Sequence, residues 1–431
     1  MDKRDKFSRN GWPTMRRTHT VVFVLILFLP GLVLAQDSLR VRRVAQMALS
    51  GDVRNVCVAG DYAYVMALNS GLYIIDISDS TDPRHVSNYD PGGLVLGGAV
   101  AGDVVLLALD EYGLRALRVS DPVHPQVLGT FNTPGNAYQV VVSGDYAYVA
   151  DYGRGLRVIR ISNPDTLLEV GFLDTPGFAR DVAVAGAYAY LADGTQGLRV
   201  IGITNPASPQ DVGSYNTPGT ATGVAARDSL VYVADLDRGL RILNVASPSS
   251  PYPVGSFDTW AALDVAVAVT DSFAFVADEA NGLRVIEISN PAFPQEVGFY
   301  QTDGEAYGVA VRGNLVFVAD DSYFGIYDVS EAVAAARDGT RAIAHEYAIL
   351  RAYPNPFNSA TTLQLSLPRV IRGRLAVYDI TGRTVGVLME GSMSQGESET
   401  RFETSSLASG VYFVRLESPQ FSATQKIHLI R

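Results

Sequence analysis

Five carboxylates recur in this chain at one position of a repeated pattern. Asp151, Asp193, Asp235, Asp278 and Asp320 each end the second of four short apolar runs, while Ala67 and Leu109 hold that place in two further copies. A ring of carboxylate oxygens is the donor set a hard divalent cation takes. Arg157, Arg199, Arg241 and Arg284, however, open the facing run six residues later. Each Asp can therefore pair with the arginine of its own hairpin or cap its own turn. A feature that recurs with the repeat serves the repeat, so a structural pair without bound metal is the expectation. Other catalytic signatures are missing: there is no Gly-x-Ser-x-Gly, no Gly-x-x-x-x-Gly-Lys and no His-Glu-x-x-His. His19, His85, His124, His345 and His428 are scattered through the leader, loops, linker and tail, and no cofactor is expected.

Positions that change from copy to copy carry a different signal, because folding constrains every copy alike while a ligand touches each one differently. Before the first apolar run stand Arg54, Leu96, Tyr138, Arg180, Thr222, Leu263 and Tyr307, followed in turn by Asn55, Gly97, Gln139, Asp181, Gly223, Asp264 and Gly308. Trp260 replaces the proline of a nearby Thr-Pro-Gly. Arginine, tyrosine and tryptophan at a concave rim are the residue types of binding hot spots. Arg54, Tyr138, Arg180, Asp181, Trp260, Asp264 and Tyr307 are thus the candidate ligand-binding residues, although loop variation alone explains any single one. Asp181, Asp264 and Arg180 would also equip a glycan lyase or hydrolase, if the carboxyls lie about 5 to 9 Å apart.

The elements that position these residues follow from the period. A Gly followed by an apolar residue anchors each copy at Gly71, Gly113, Gly155, Gly197, Gly239, Gly282 and Gly325, at intervals of 42 or 43 residues. The first run, such as Val182 to Val184, is small and suits a crowded innermost strand. The second alternates aromatic and small residues, as in Tyr146-Ala147-Tyr148-Val149, with the period of two of a strand. The third follows the anchor glycine, which suits a positive φ, and ends at Asn-Pro or Ser-Pro. The fourth closes with Thr-Pro-Gly. Four strands repeated seven times fit a seven-bladed β-propeller over residues 41–329, whose radial symmetry leaves only short sheet edges. The seventh copy lacks its fourth strand. Arg43 to Ala48 aligns with the fourth-strand segment Glu296 to Tyr300, so the N-terminal strand is expected to close the ring.

Residues 1–35 read as a signal peptide. Lys3, Arg4, Lys6, Arg9, Arg16 and Arg17 precede an apolar run from Val21 to Leu34, and Val33-Leu34-Ala35 offers a cleavage site before Gln36. Cleavage would take the formal charge from −11 to −15, since the leader holds six basic and two acidic residues. No membrane span is then expected, and so acidic a surface repels nucleic acid. Cys57, the sole cysteine, sits in an apolar strand pattern as a small hydrophobe.

Gly-Leu-Arg-Val-Ile-x-Ile followed by Asn-Pro, at 155–164, 197–206 and 282–291, resembles the LVIVD repeat family. That resemblance implies exported, propeller-like repeats on the cell surface or outside the cell, and no shared reaction.

Beyond a linker at 330–346 with some helical propensity, residues 347–431 read as a small β-sandwich of apolar runs. Its motif residues are Pro354, Asn355 and Pro356, the turn from Asp379 to Gly382, and Gly410 with Tyr412. These resemble the type A sorting domain of the type IX secretion system and, more distantly, the immunoglobulin-like domain of the flagellar hook-capping protein. The resemblance implies secretion machinery as a partner and attachment or cleavage at the surface.

The chain is therefore expected to be all-β, a seven-bladed propeller with an immunoglobulin-like tail. It is expected to be a non-enzymatic surface or secreted protein recognising a protein or glycan. The alternatives are the glycan-active enzyme and a structural part of an envelope assembly, which would expose a large apolar patch on the outer wall.

Overall fold

Alternation of large and small apolar residues buries both faces of a strand only when sheets cover it on either side, and each repeat meets that condition. In the third repeat, strands Gln139–Ser143, Tyr146–Ala150, Leu156–Arg160 and Leu168–Leu173 form an antiparallel meander. The same order recurs in the second, fourth, fifth and sixth repeats. Ala147 and Val149 are buried with Leu106, Ala108, Leu114 and Ala116 of the preceding meander, and Tyr148 with Val182, Ala189 and Leu191 of the following one. The core is thus a series of apolar layers between successive sheets, each fully buried Val or Leu side chain contributing about 1.5–3 kcal/mol. The computed structural model describes residues 38–337 and 349–430, apart from residues 260, 268–271, 354, 356, 368–370, 381, 395, 405–406 and 418–421. The expected leader at 1–35 lies outside the described residues, as do Trp260, Pro354 and Pro356.

Outer strands carry Val-Gly for a steric reason. A Cβ on Gly171 would stand 2.2 Å from the Pro206 carbonyl oxygen of the next repeat, so glycine lets the Asn-Pro turn pack against the outer strand. The ladder shifts register there, between Val158 and Ile159. At Gly298 the neighbours are instead Leu39, Val41 and Ala332.

First strands touch in cyclic order. Strand Arg42–Ala59 lies beside Gly97–Ala101, which lies beside Gln139–Ser143; then follow Asp181–Ala185, Gly223–Arg227, Asp264–Val267 and Ala306–Arg312, the last returning to Arg42–Ala59. The architecture is all-β and propeller-like. Two long strands hold the junction of the chain ends. Residues 42–48 of the first pair with 323–328 of strand Leu315–Asp328, from Arg42↔Asp328 to Ala48↔Tyr323, while its second half pairs with Tyr62–Ala67.

One detail departs from the sequence reading. Val329 N–H donates to the Asn314 carbonyl as Ile161 does to Asp145, and that register puts Phe324 in the place of Leu156 and Gly325 in the place of Arg157. Gly325 therefore lacks the positive φ of 66–85° found at the six other anchors. The linker expected at 330–346 begins as a helix, Ser330–Arg337, whose Ala332 and Val333 are buried against Val297, Tyr327 and Val329.

The C-terminal residues form a sheet of three strands, Ile349–Tyr353, Ala360–Leu367 and Gly396–Glu403, and one of four, in the order Thr384–Met393, Ile371–Asp379, Gly410–Glu417 and Ser422–Leu429. Leu363 and Leu365 of the first share a buried core with Leu375, Val377, Val414 and Leu416 of the second. Among the described residues no helix is long and apolar enough to cross a membrane.

Candidate functional site

Both the repeated aspartates and the variable rim lie at one end of the meanders. Gln139 pairs with Ala150 and Asp181 with Ala192, so Asp151 and Asp193 stand where the inner strands begin. We call this end the mouth face.

Beneath it runs a repeated clasp. Asp151 accepts the Thr133 hydroxyl at 2.5 Å and the Gly135 N–H at 2.9 Å, with the Arg157 Nε at 3.4 Å. Asp193 and Asp235 repeat the set with Thr175, Gly177 and Arg199, and with Thr217, Gly219 and Arg241. Thr-Pro-Gly is thus a donor set for the next hairpin's carboxylate. Among the described residues no three His, Cys, Asp or Glu side chains are grouped to hold a metal ion.

Asp320 is the exception. Gly325 stands in the arginine's place, and the Tyr327 ring fills the space, its hydroxyl oxygen 2.6 Å from where a Gly325 Cβ would be. Asp320 accepts the Gly304 N–H at 3.2 Å, while its Oδ1 and the Tyr327 hydroxyl are buried without hydrogen-bond partners among the described residues. Burial, reinforced by Asp303 and Asp321, pushes its carboxyl up to about 6. A folded-state value above the unfolded one means the folded chain holds a proton that the unfolded chain has released. Stability from this group is therefore present below about pH 4 and lost as pH rises to about 6, by about 1–3 kcal/mol. Asp320→Asn is expected to raise the melting temperature by several degrees at pH 7.5 and to flatten this slope, in thermal melts from pH 4 to 8. An unchanged melt at pH 7.5 would refute the assignment.

At the mouth itself, inner-strand N–H groups have no ladder partner on the open side and need acceptors. Three side chains supply them. Gln139 Oε1 accepts from Gly98 and Val140, Asp181 Oδ1 and Oδ2 accept from Val182 and Val224 at 2.7 Å each, and Asp264 Oδ2 accepts from Val309. Each bridges two neighbouring repeats, and the partner repeat carries glycine: Gly97, Gly223 or Gly308. A Cβ on Gly223 would stand 3.1 Å from Asp264 Oδ1, and without it Asp181 and Asp264 face each other electrostatically. Burial and then the Asp264 charge hold the Asp181 carboxyl well above the usual carboxylate range. Gln139 makes the same kind of bridge without a titratable group, so the bridging itself is architectural.

Of the remaining rim candidates, Arg54 stacks on the Tyr307 ring at 3.6 Å, and Tyr307 donates to Glu305. Burial and that bond raise the Tyr307 phenol to about 12. Tyr138 stacks on Tyr152, centroids 4.9 Å apart, and Tyr152 stacks on Phe178 at 4.5 Å. Arg180 is close enough to Tyr138 to oppose the burial that raises its phenol.

Tyr152 and Phe178 lie outside the rim set expected from the sequence. They belong to a second variable set, the residue after each repeated Asp position together with the residue after the next Thr-Pro-Gly position. At three junctions the two side chains meet: Asp110 with Asn136 by a 2.6 Å hydrogen bond, Tyr152 with Phe178 by stacking, and Glu279 with Glu305 by charge repulsion that adds to the burial raising Glu279. The first member takes a left-handed φ of 40–60° at Asp110, Tyr152, Gly194, Leu236 and Glu279. Like the rim positions, the columns after Asp and after Gly vary from repeat to repeat, and that variation is the sequence signal that marks them. At the opposite end, a cavity of about 500 Å³ is lined by Tyr188, Tyr190, Asp228 and Pro248.

In the C-terminal sheets, Asn355 Oδ1 accepts the His428 N–H at 2.8 Å, tying the start of the domain to its last strand. Asp379 caps a turn by accepting the Arg383 N–H and Nε–H, with Gly382 at φ 82°. Gly410 opens a strand, and the Tyr412 hydroxyl donates to the Ala408 carbonyl at 2.8 Å.

Residues 50–91, 134–175, 176–217, 218–259, 264–302 and 303–333 match the LVIVD repeat, and residues 351–430 match the secretion system C-terminal sorting domain. Residues between the first two matches still form the four-strand sheet from Gly97 to Phe131. A C-terminal domain of this kind marks a chain for export to the cell surface or the medium and engages the type IX secretion machinery. No curated protein matches the chain significantly. Among solved structures, the Cps50 (Swd1) β-propeller domain of Myceliophteria thermophila is similar at 12% identity, covering 67% of this chain and 100% of that one with a TM-score of 0.55. The computationally designed Ika8 protein is similar at 11% identity, covering 64% and 83%, with a TM-score of 0.50. At such identities the likeness speaks for the fold alone.

Proposed function

The chain belongs to the LVIVD-repeat family, and from that premise we propose an exported, non-enzymatic recognition protein that binds a protein or glycan on its mouth face. The carrying observation is the contrast at that face. The Thr–Asp–Arg clasp below is repeated, whereas the junction pairs above it are polar at Asp110/Asn136, aromatic at Tyr152/Phe178 and acidic at Glu279/Glu305. A support shared by Asp151, Asp193 and Asp235, beside contacts that change from junction to junction, is what a rigid recognition platform requires.

In this reading the platform is a seven-bladed ring closed by the N-terminal strand, and the C-terminal sandwich is an immunoglobulin-like sorting module. Cyclic contact of the inner strands and the pairing of residues 42–48 with 323–328 support the ring. The apposition of Asp181 and Asp264 favours a second reading, a glycan-active enzyme, because paired carboxyls can share acid and base roles. Their bonds to backbone N–H groups favour the first. A screen of glycans and secreted proteins against the full chain tests the proposal: Tyr138→Ala and Arg180→Ala are each expected to weaken binding at least tenfold. Binding that survives both variants would move the site to the opposite end or the outer wall, and turnover abolished by Asp264→Asn in a folded protein would favour the enzyme.

A further inference from the structure

Resting on that mouth-face reading, we infer that the Tyr152/Phe178 junction binds an acidic pyranose, a uronate unit of a glycan, with the sugar ring on Phe178 and its carboxylate on Arg180. Tyr138, Tyr152 and Phe178 form a column of stacked rings, and the outermost, Phe178, is 49% exposed. The next repeat has Gly194 at the position of Tyr152, and even a Cβ there would stand 3.4 Å from that of Phe178. Glycine thus leaves the ring uncovered where a side chain would shield it. An open aromatic face anchored by two more rings is rigid, so a ligand stacking on it loses little side-chain entropy on binding.

Arg180, two residues on, fixes the sign of the ligand. Arg54, Arg157, Arg199, Arg241 and Arg284 each stand within 3.6 Å of a carboxylate. Arg180 has no such ion pair among the described residues, although its Nε is buried without a hydrogen-bond partner just as those of Arg54, Arg157, Arg199 and Arg241 are. The net charge of −11 opposes a long polyanion, so the anion must be held at short range, and the planar fork of an unpaired guanidinium matches a single carboxylate. A cationic ligand would also favour the aromatic face, but Arg180 repels it. A pyranose with a carboxylate at ring carbon five satisfies both demands, offering an apolar C–H face to Phe178 and an anion to the guanidinium.

The test is calorimetric titration of the full chain with oligogalacturonate, oligoglucuronate and the same oligomers with their carboxyls reduced to alcohols. Phe178→Ala, Arg180→Gln and Arg180→Lys serve as variants, each first shown to melt like the parent. The expected result is binding of at least one oligouronate, weakened tenfold or more by carboxyl reduction, by Phe178→Ala and by Arg180→Gln, with partial recovery in Arg180→Lys. Equal binding of acidic and reduced oligomers, or binding indifferent to Phe178→Ala, overturns the inference, as does no binding of either oligouronate. If the chain instead binds a neutral glycan or an acidic peptide and loses it in Tyr138→Ala, the mouth-face reading stands and the uronate assignment alone falls.

Discussion

A chain lacking residues 38–49 is expected to lose its cooperative unfolding transition and to aggregate at concentrations where the intact chain is monodisperse. Those residues pair with 323–328 over a register from Arg42↔Asp328 to Ala48↔Tyr323. Their removal would uncover Phe324, Ile326 and Tyr327, which are fully buried, and would take away Val41 from the adjoining core. Burial of a side chain of this size contributes about 1.5–3 kcal/mol, so three or four of them approach the ~5–15 kcal/mol total stability of a folded domain. The uncovered strand also becomes a sheet edge, a template for pairing with other chains. Urea unfolding followed by tryptophan-independent circular dichroism, with size-exclusion chromatography, reads both effects. A truncated chain with the parent's midpoint and elution volume would show that the strand does not close the ring. Supplying the same residues after Val329 in a permuted chain should restore the transition, because the partner strand is indifferent to which end of the chain completes its sheet.

Asp193→Ala carries the second large effect, a destabilisation of about 3–4 kcal/mol at pH 7 in the same urea experiment. Asp193 is fully buried, accepts the Thr175 hydroxyl at 2.7 Å and the Gly177 N–H at 3.1 Å, and stands 3.6 Å from Arg199. Alanine would strand two donors and leave the guanidinium with Asp211 as its remaining carboxylate partner at 2.9 Å. A loss below about 1 kcal/mol would mean that water replaces the carboxylate and that the clasp is dispensable. The comparison with Asp320→Asn is informative because the same repeat position is expected to give the opposite sign. Burial raises the Asp193 carboxyl as well, but the Thr175 hydroxyl, the Gly177 N–H and Arg199 oppose that rise, whereas at Asp320, where Gly325 has replaced the arginine, Asp303 and Asp321 add to it.

Much of this architecture was legible because it is local. The period, the alternation in Tyr146 to Val149 and the offset between Asp193 and Arg199 all lie within a single repeat, and strand pairing inside one hairpin needs no more. That offset offers each clasp Asp either its own arginine or a turn to cap, and Asp151, Asp193, Asp235 and Asp278 stand 3.4–3.6 Å from the arginine. Thr175 was read only as turn punctuation, since its role depends on the carboxylate of the following hairpin reaching back to it.

What the sequence by itself determined, then, was the repeated sheet and the residues that vary on it. Only the tertiary structure decided the register at Gly325, where pairing with a strand some 280 residues away in the chain overrides a local glycine signal. It also decided that Gln139, Asp181 and Asp264 bridge neighbouring inner strands, and that Tyr152 meets Phe178 across a junction. Contacts of that kind depend on how one sheet is set against the next. That setting comes from the apolar layers between sheets and the glycines that allow their approach, so no single period of the sequence contains it.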